Sequence, residues 1–207
     1  MKNKINNSSL LIIDVQNDFC PGGALEVING DQIVEPINNF QSAFDNIVIT
    51  QDWHPEDHKC FASNHKLEEY STIEFSYGNQ ILWPEHCIQN TIGADIHDKL
   101  DTTRSSLILR KGLNKNIDSY SAFFENDRET STGLDGYFKS KNIQSLYICG
   151  LAFDFCVFYT AMDGIELGYD VFVIEPLTKS INLNSSKAQA KKAMLENRVK
   201  LITNYVN

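Results

Sequence analysis

Residues 146–175 read LYICGLAFDFCVFYTAMDGIELGYDVFVIE, and the order of patterns in this stretch decides the fold. An apolar run at 146–149 precedes a helix-length segment at 155–167, and a second apolar run follows at 171–174. Gly168 stands directly after the helical segment, at the position where helices often end on a glycine. Unbroken apolar runs are typical of strands that are buried on both faces. The stretch therefore predicts a strand, a helix and a second strand parallel to the first.

The same alternation of short apolar runs and helix-length segments continues along the rest of the chain. Further apolar runs lie at 10–13, 47–49, 107–109 and 199–202, and further helical patterns at 32–44 and 185–196. No repeat, low-complexity tract or Pro/Gly/Ser-rich linker divides the sequence. We therefore predict a three-layer α/β/α fold with a mostly parallel central sheet, formed as a single domain over residues 1–207. Residues 51–103 are the exception: they are polar, and we interpret them as long connections of the kind that usually carry function.

Composition and charge exclude several classes of protein. The chain has 27 acidic and 18 basic side chains among 207 residues, a formal net charge of -9, which argues against nucleic acid as a principal partner. No apolar run approaches the ~20 residues that cross a bilayer, so we expect no membrane partner. Met1 to Lys4 lack the apolar stretch of a secretory signal. The five cysteines are an odd number without CxxC spacing, which favours reduced thiols, and we expect a cytoplasmic protein.

Reactive side chains follow four of the predicted strands. Asp14 comes after the first run, Asp52 and His54 after the second, Lys111 after the third, and Cys156 shortly after the fourth. In an open parallel sheet, ligands bind at the carboxyl ends of the strands. The sequence therefore predicts one crevice that contains a carboxylate, an amine, a thiol and a pair of metal-type ligands.

Cys156 is the predicted nucleophile. It begins a predicted helix for which Asp154 is the candidate N-cap, and a helix N-terminus lowers a thiol pKa from about 8.5 to ~3.5–7.5. Lys111 would act in the same direction, and Asp14 would be the base that takes the thiol proton. Each residue also has a structural interpretation. Cys156 would then be an inert buried thiol, Lys111 a solvated cation at a strand end, and Asp14 a carboxylate that caps amides of residues 18–20.

Asp52 and His54 form the core of a predicted metal site. They alternate, so in an extended segment both side chains project to the same side. His86 can complete a set of one carboxylate and two imidazoles, which suits zinc, iron or manganese better than magnesium or calcium. His58 is left open as either a fourth ligand or a structural partner. His65 and His97 are interpreted as solvated or locally bonded side chains.

Several sequence blocks, in this order along nearly the whole chain, resemble the nicotinamidase/pyrazinamidase family of the isochorismatase-like cysteine hydrolases. They are DVQNDFC at 14–20, PGGAL at 21–25, TQDWHP at 50–55, WPEHC at 83–87, KG at 111–112, YSAF at 120–123 and GLAFDFCV at 150–157. The Asp-x-His block and the later His separate this family from the broader superfamily. Phe153 is a departure, because threonine is common at its position.

The resemblance implies the isochorismatase-like hydrolase fold and the hydrolysis of nicotinamide to nicotinate and ammonia, a step of NAD salvage, with pyrazinamide as a further substrate. It implies a catalytic triad and a set of metal ligands, which are Asp14, Lys111 and Cys156 for the triad and Asp52, His54 and His86 for the metal. The expected cofactor is one divalent transition metal, zinc before iron or manganese. Relatives occur as monomers and as oligomers, so the resemblance is compatible with a homo-oligomer.

The resemblance also implies a thioester mechanism. The backbone N–H groups of Ala152 and Cys156 would stabilise the oxyanion, next to a cis peptide at Leu151–Ala152, and Phe19, Trp83 and Tyr120 would line the pocket of the aromatic amide. Two rival functions stay open. One is an amide or carbamoyl hydrolase that acts on aliphatic substrates, and the other is a noncatalytic binding protein with the same fold.

Overall fold

A six-stranded sheet lies at the centre of the computed structural model, which describes residues 5–204. Numbered in chain order, the strands are β1 (Ser8–Ile13), β2 (Asn46–Asp52), β3 (Thr72–Phe75), β4 (Gly78–Ile81), β5 (Leu107–Lys111), β6 (Ser145–Gly150), β7 (Asp170–Thr178) and β8 (Lys200–Ile202). The sheet has the order β5-β2-β1-β6-β7-β8, and every neighbouring pair is parallel. All six predicted apolar runs lie in this sheet.

Helices cover both faces of the sheet. They are α1 (Val34–Phe40), α2 (Leu134–Ser140), α3 (Cys156–Glu166) and α4 (Ser186–Glu196). Leu10 and Ile12 of β1 are buried in the same cluster as Ile37 of α1, whereas Leu11 and Ile13 point to the opposite cluster, which contains residues of the other three helices. Successive side chains of a strand alternate between the faces, so β1 is buried on both sides. The predicted three layers are confirmed.

Three details differ from the sequence prediction. The run at 107–109 is not buried on both faces: Ile108 is 45% exposed, because β5 is the edge strand of the sheet. The polar stretch 51–103 is not all loop, since β3 and β4 form an antiparallel hairpin within it. The prediction also missed α2, a helix of only seven residues with Gly136 in its interior.

The parallel arrangement brings the predicted reactive residues to one edge. Asp52 and Lys111 are register partners at the ends of β2 and β5, and Ile13 is the partner of Gly150 at the ends of β1 and β6. Gly150 has a φ of +109°, and a Cβ there would lie 2.1 Å from the carbonyl oxygen of Ile13. A side chain at this position would push the segment after β6 away from β1.

Among residues 5–204, no helix combines the length and the apolar character that crossing a membrane requires. The expectation for Met1 to Lys4 lies outside the described residues.

Candidate active site

A single buried ammonium group connects the predicted catalytic residues. Lys111 Nζ lies 2.9 Å from Asp14 Oδ2, 2.5 Å from Asp52 Oδ1 and 3.5 Å from Cys156 Sγ. It also donates a hydrogen bond of 2.7 Å to the carbonyl oxygen of Ser119. The structure therefore brings Asp14, Lys111 and Cys156 together as predicted, and it excludes the solvated role for Lys111.

Asp14 is fully buried and is held from two sides. Its Oδ1 accepts a hydrogen bond of 2.6 Å from Thr50 Oγ1, and its Oδ2 faces Lys111. Burial raises the pKa of Asp14 and the Lys111 ammonium lowers it, with a net rise to about 6. A carboxyl group with this pKa can accept and return a proton near neutral pH. The sequence analysis missed Thr50, although it alternates with Asp52 on β2 and therefore shares its face.

Asp14 does not cap the amides of residues 18–20, so that alternative is wrong. Asp18 is the acceptor for the neighbouring loop: its Oδ1 bonds to the Ala24 N–H at 3.1 Å and its Oδ2 to the Cys87 N–H at 2.7 Å. These two bonds connect the loop after β1 to the segment that follows His86.

Cys156 is the first residue of α3, as predicted, and is only 6% exposed. Burial raises the pKa of its thiol, the ammonium of Lys111 lowers it, and the carboxylates of Asp14 and Asp52 raise it, so that the pKa lies well above its ordinary value. The expected low thiol pKa is therefore not found, because burial and the two carboxylates outweigh the ammonium of Lys111. The thiol keeps its proton until a base removes it, and Asp14 is the adjacent base.

The predicted N-cap role of Asp154 is wrong. The N-cap residue of α3 is Phe155, and no side chain caps this helix. The Asp154 carboxylate instead accepts hydrogen bonds from the Ile181 N–H at 3.0 Å, the Asn182 N–H at 2.7 Å and Ser186 Oγ at 2.5 Å. These three donors turn the carboxylate away from the helix and toward residues 181–186.

The backbone before Cys156 leaves two donors unused. The Leu151–Ala152 peptide is cis. Within residues 5–204, the N–H groups of Ala152 and Cys156 donate no hydrogen bond, whereas the Ala152 carbonyl accepts bonds from two later amides. Both residues line the same cavity. Phe153, the departure from the family pattern, is buried in the core cluster that contains α3.

The predicted metal ligands also come together. Asp52, His54 and His86 are buried and offer ligand atoms that lie within 4.8 Å of one another. His54 Nδ1 lies 3.0 Å from the Gly112 carbonyl oxygen, and His86 Nδ1 lies 2.8 Å from the Pro84 carbonyl oxygen. Because each Nδ1–H donates to a carbonyl, each Nε2 keeps a lone pair, as in the outer-shell arrangement of metal-bound histidines.

Two observations fit this group of residues to a cation. His54 Nε2 is buried without a hydrogen-bond partner and lies 3.7 Å from Asp52 Oδ2. A nitrogen and oxygen donor set of this kind suits a divalent transition metal. Burial lowers the pKa of His54, but the Asp52 carboxylate more than offsets this effect, so the pKa of His54 is raised. Burial and the neighbouring His54 lower the pKa of His86 to about 4. His86 is therefore neutral near pH 7 and ready to bind a cation.

His58 lies against the same rings, with its centroid 4.4 Å from that of His54. Its Nδ1 accepts a hydrogen bond of 3.0 Å from the Cys60 N–H, so in the neutral ring the proton is on Nε2. That tautomer leaves no lone pair for a metal, which favours the structural role of the two that the sequence left open. His65 and His97 bond locally to neighbouring residues, as expected.

A cavity lined by Cys156, Asp52 and His86 connects the predicted nucleophile to two of the predicted metal ligands. The three predicted pocket residues line it together, and other apolar and polar side chains complete the wall: Phe19, Trp83 and Tyr120, with Leu25, Ala152, Phe155, Ile181, Asp52, His86, Asp118 and Cys156. Sequence reasoning missed Asp118, a buried carboxylate that bonds to Gln80 of β4 at 2.8 Å. Its only signal is its position two residues before Tyr120.

Comparison with known proteins agrees with this geometry. The Isochorismatase domain matches residues 8–204. A nicotinamidase of Acinetobacter baylyi is 50% identical over 199 residues, which cover 96% of this chain and 93% of the relative.

Solved structures give the same result. A nicotinamidase/pyrazinamidase of Acinetobacter baumannii superposes with a TM-score of 0.95 at 47% identity, covering 97% of each chain. A pyrazinamidase of Pyrococcus horikoshii in complex with zinc has a TM-score of 0.78 at 28% identity, covering 96% of this chain and 99% of its own. The chain therefore belongs to the nicotinamidase/pyrazinamidase family of isochorismatase-like cysteine hydrolases.

Proposed function

We propose that this protein hydrolyses nicotinamide to nicotinate and ammonia, and that pyrazinamide is a further substrate. One observation carries the proposal: the Lys111 ammonium contacts the Cys156 sulfur, the Asp14 carboxylate and the Asp52 carboxylate at once. A nucleophile, a base and the predicted metal ligands therefore meet at one cavity. The names of the relatives support the substrate class.

The cavity is suited to a flat aromatic amide. Phe19, Trp83 and Tyr120 present rings, and aromatic side chains bury large apolar areas against a planar ligand. We propose zinc, with iron or manganese as alternatives, held by Asp52, His54 and His86; the support is their donor set and the zinc complex of the Pyrococcus relative. Held by these three residues, the ion would supply Lewis acidity that orients the pyridine ring of the substrate.

The residues of the chain account for the remaining chemistry. Asp14 takes the proton of Cys156, and the sulfur attacks the carboxamide carbon, whose oxygen becomes negative and accepts bonds from the N–H groups of Ala152 and Cys156. When the oxyanion collapses, the C–N bond breaks and protonated Asp14 gives its proton to the departing ammonia. A water molecule, deprotonated by Asp14, then cleaves the thioester to release the carboxylate and the thiol. Lys111 stabilises the thiolate and the ionised form of Asp14.

Two rival functions are less well supported. Hydrolysis of an aliphatic amide would use the triad but would give Asp52, His54 and His86 no common role. A noncatalytic protein would not need the contact between Lys111 and the Cys156 sulfur. We also propose a cytoplasmic location, supported by the five cysteines, which are all free and buried.

Ammonia release tests the proposed function. The wild-type protein is assayed with nicotinamide, pyrazinamide and a small aliphatic amide, with metal analysis of the same sample. Cys156→Ala is expected to lose roughly 10⁴-fold or more in kcat, because the nucleophile is gone. The matched control is Cys149→Ala, another buried free cysteine, which lies within β6. Equal release by wild type and Cys156→Ala would reject covalent catalysis, and a preference for the aliphatic amide would reject the substrate class.

A further inference from the structure

One side chain of the hairpin enters the active-site region. Most of β3 and β4 is exposed or half-buried, but Gln80 of β4 is only 1% exposed. Its Nε2 lies 2.8 Å from Asp118 Oδ2, 2.8 Å from the carbonyl oxygen of Ile81 and 3.0 Å from the hydroxyl oxygen of Tyr120, so its two N–H groups are shared among three acceptors. Its Oε1 accepts a hydrogen bond of 3.1 Å from Asn126 Nδ2. Gln80 therefore contacts two residues that line the cavity.

The hydroxyl oxygen of Tyr120 accepts two hydrogen bonds. Trp83 Nε1 lies 3.0 Å from the Tyr120 oxygen, and Gln80 Nε2 lies at the same distance. Indole and amide N–H groups can only donate, so both bonds are accepted by the hydroxyl oxygen. The Tyr120 proton is then the one hydrogen-bonding capacity left to this hydroxyl. A ligand in the cavity can use it as a donor.

The same amide is connected to the Lys111 ammonium through Asp118 and Ser119. Asp118 Oδ1 accepts a hydrogen bond of 2.8 Å from the Ser119 N–H, and the Ser119 carbonyl accepts the bond of 2.7 Å from Lys111 Nζ. Gln80 thus holds the segment 118–120 from the hairpin side while Lys111 holds it from the sheet side. Without the amide, the buried Asp118 Oδ2 would lose the hydrogen bond that Gln80 donates.

We propose that Gln80 is a positioning residue of the active site: it fixes the Tyr120 hydroxyl as a hydrogen-bond donor to an acceptor atom of the bound aromatic amide. The inference rests on the proposed function for the identity of that ligand. It assigns a role to the hairpin, although no side chain of β3 or β4 lines the cavity itself within the described residues.

A double-mutant cycle with Gln80→Leu and Tyr120→Phe tests the role. For Gln80→Leu we expect KM for nicotinamide to rise about tenfold, the factor that corresponds to roughly one hydrogen bond. We expect kcat to change less than about threefold, because the triad stays in place. In the Tyr120→Phe background, Gln80→Leu should raise KM less than about twofold. The control is Asn79→Ala on the same strand, an exposed amide without a side-chain hydrogen bond within residues 5–204, which should leave KM unchanged.

Two outcomes would overturn the proposal: KM factors that multiply in the double mutant, or a KM of Gln80→Leu equal to that of wild type. If a variant is too unstable to assay, the same cycle is measured as urea unfolding of the free protein, where additive effects on the free energy of unfolding overturn the contact and coupled effects support it. Failure of the proposed function is recognised separately. A wild-type protein without ammonia release rejects that function, while the unfolding cycle still decides whether Gln80 positions Tyr120.

Discussion

Lys111 shows how a single residue unites the site. Among residues 5–204, its ammonium is the one cation that lies between Asp14 and Asp52, and both carboxylates are buried. Replacing Lys111 with methionine keeps the length of the side chain but leaves two buried like charges together. We expect Lys111→Met to lose ammonia release and to lower the free energy of unfolding by roughly 3–5 kcal/mol.

Urea denaturation measures the change, and Lys115→Met is the matched control. Lys115 forms an ion pair of 2.6 Å with Asp57, but both side chains are mostly exposed. Exposed pairs contribute at most ~1 kcal/mol, so the control should unfold almost like wild type. Equal destabilisation by the two variants would contradict the central role of Lys111.

The protonation of Asp14 predicts a pH dependence at the same scale. Burial raises the pKa of Asp14, which Lys111 lowers again in part, to about 6. Asp14 acts as the base only when it is ionised, so kcat/KM for nicotinamide should fall as the pH drops through about 6. The rate profile between about pH 5 and 8 checks this, with circular dichroism at each pH to show that the fold persists. A flat profile across that range would remove Asp14 as the titrating base.

At the scale of the elements, the buried strands were predictable from the sequence, whereas elements without a continuous apolar run were not. The apolar runs predicted all six sheet strands, because parallel strands between two helical layers have few polar positions. The hairpin β3–β4 and the short α2 were missed, since neither has a continuous apolar signal: Glu74, Asn79 and Gln80 interrupt the hairpin, and Gly136 interrupts α2. The predicted N-cap role of Asp154 is wrong, because its three hydrogen-bond donors belong to residues 181–186, which lie about 30 positions away in the sequence.

The hydrogen bonds of Asp154 indicate that it positions the loop that follows β7. Asp154→Ala removes the acceptor of three donors in residues 181–186, and Ile181 of this loop lines the cavity. We expect the variant to be destabilised by about 1–3 kcal/mol and to raise KM more than it lowers kcat. Ser186→Ala is the control, since it removes only one of the three bonds. A KM for Asp154→Ala that matches the control would show that the loop does not shape the pocket.

For the whole molecule, the site residues at the ends of strands were predictable from the sequence. The site residues that meet through contacts between distant segments were not. The ends of β1, β2 and β5 place Asp14, Asp52 and Lys111 without any knowledge of the loops. Gln80 and Asp118 are 38 positions apart in the sequence, and no pattern in the sequence predicts their contact. The organisation as one domain stays a prediction, which a single cooperative unfolding transition would support.

Metal binding should connect the long stretch 53–106 to the sheet, because Asp52 ends β2 while His86 lies in a distant connection. The Asp52 carboxylate raises the pKa of His54 above its ordinary value against the effect of burial, so an incoming ion competes with the proton of His54 to a higher pH than at a free imidazole. We expect zinc to bind more tightly as the pH rises, and calorimetry at several pH values measures the affinity. Cys156→Ala should bind zinc like wild type, since Cys156 is not one of the proposed ligands, whereas His86→Ala should bind far more weakly. A zinc affinity that does not rise with pH would show that the ion does not compete with a proton on His54, and unchanged binding by His86→Ala would place the ion elsewhere.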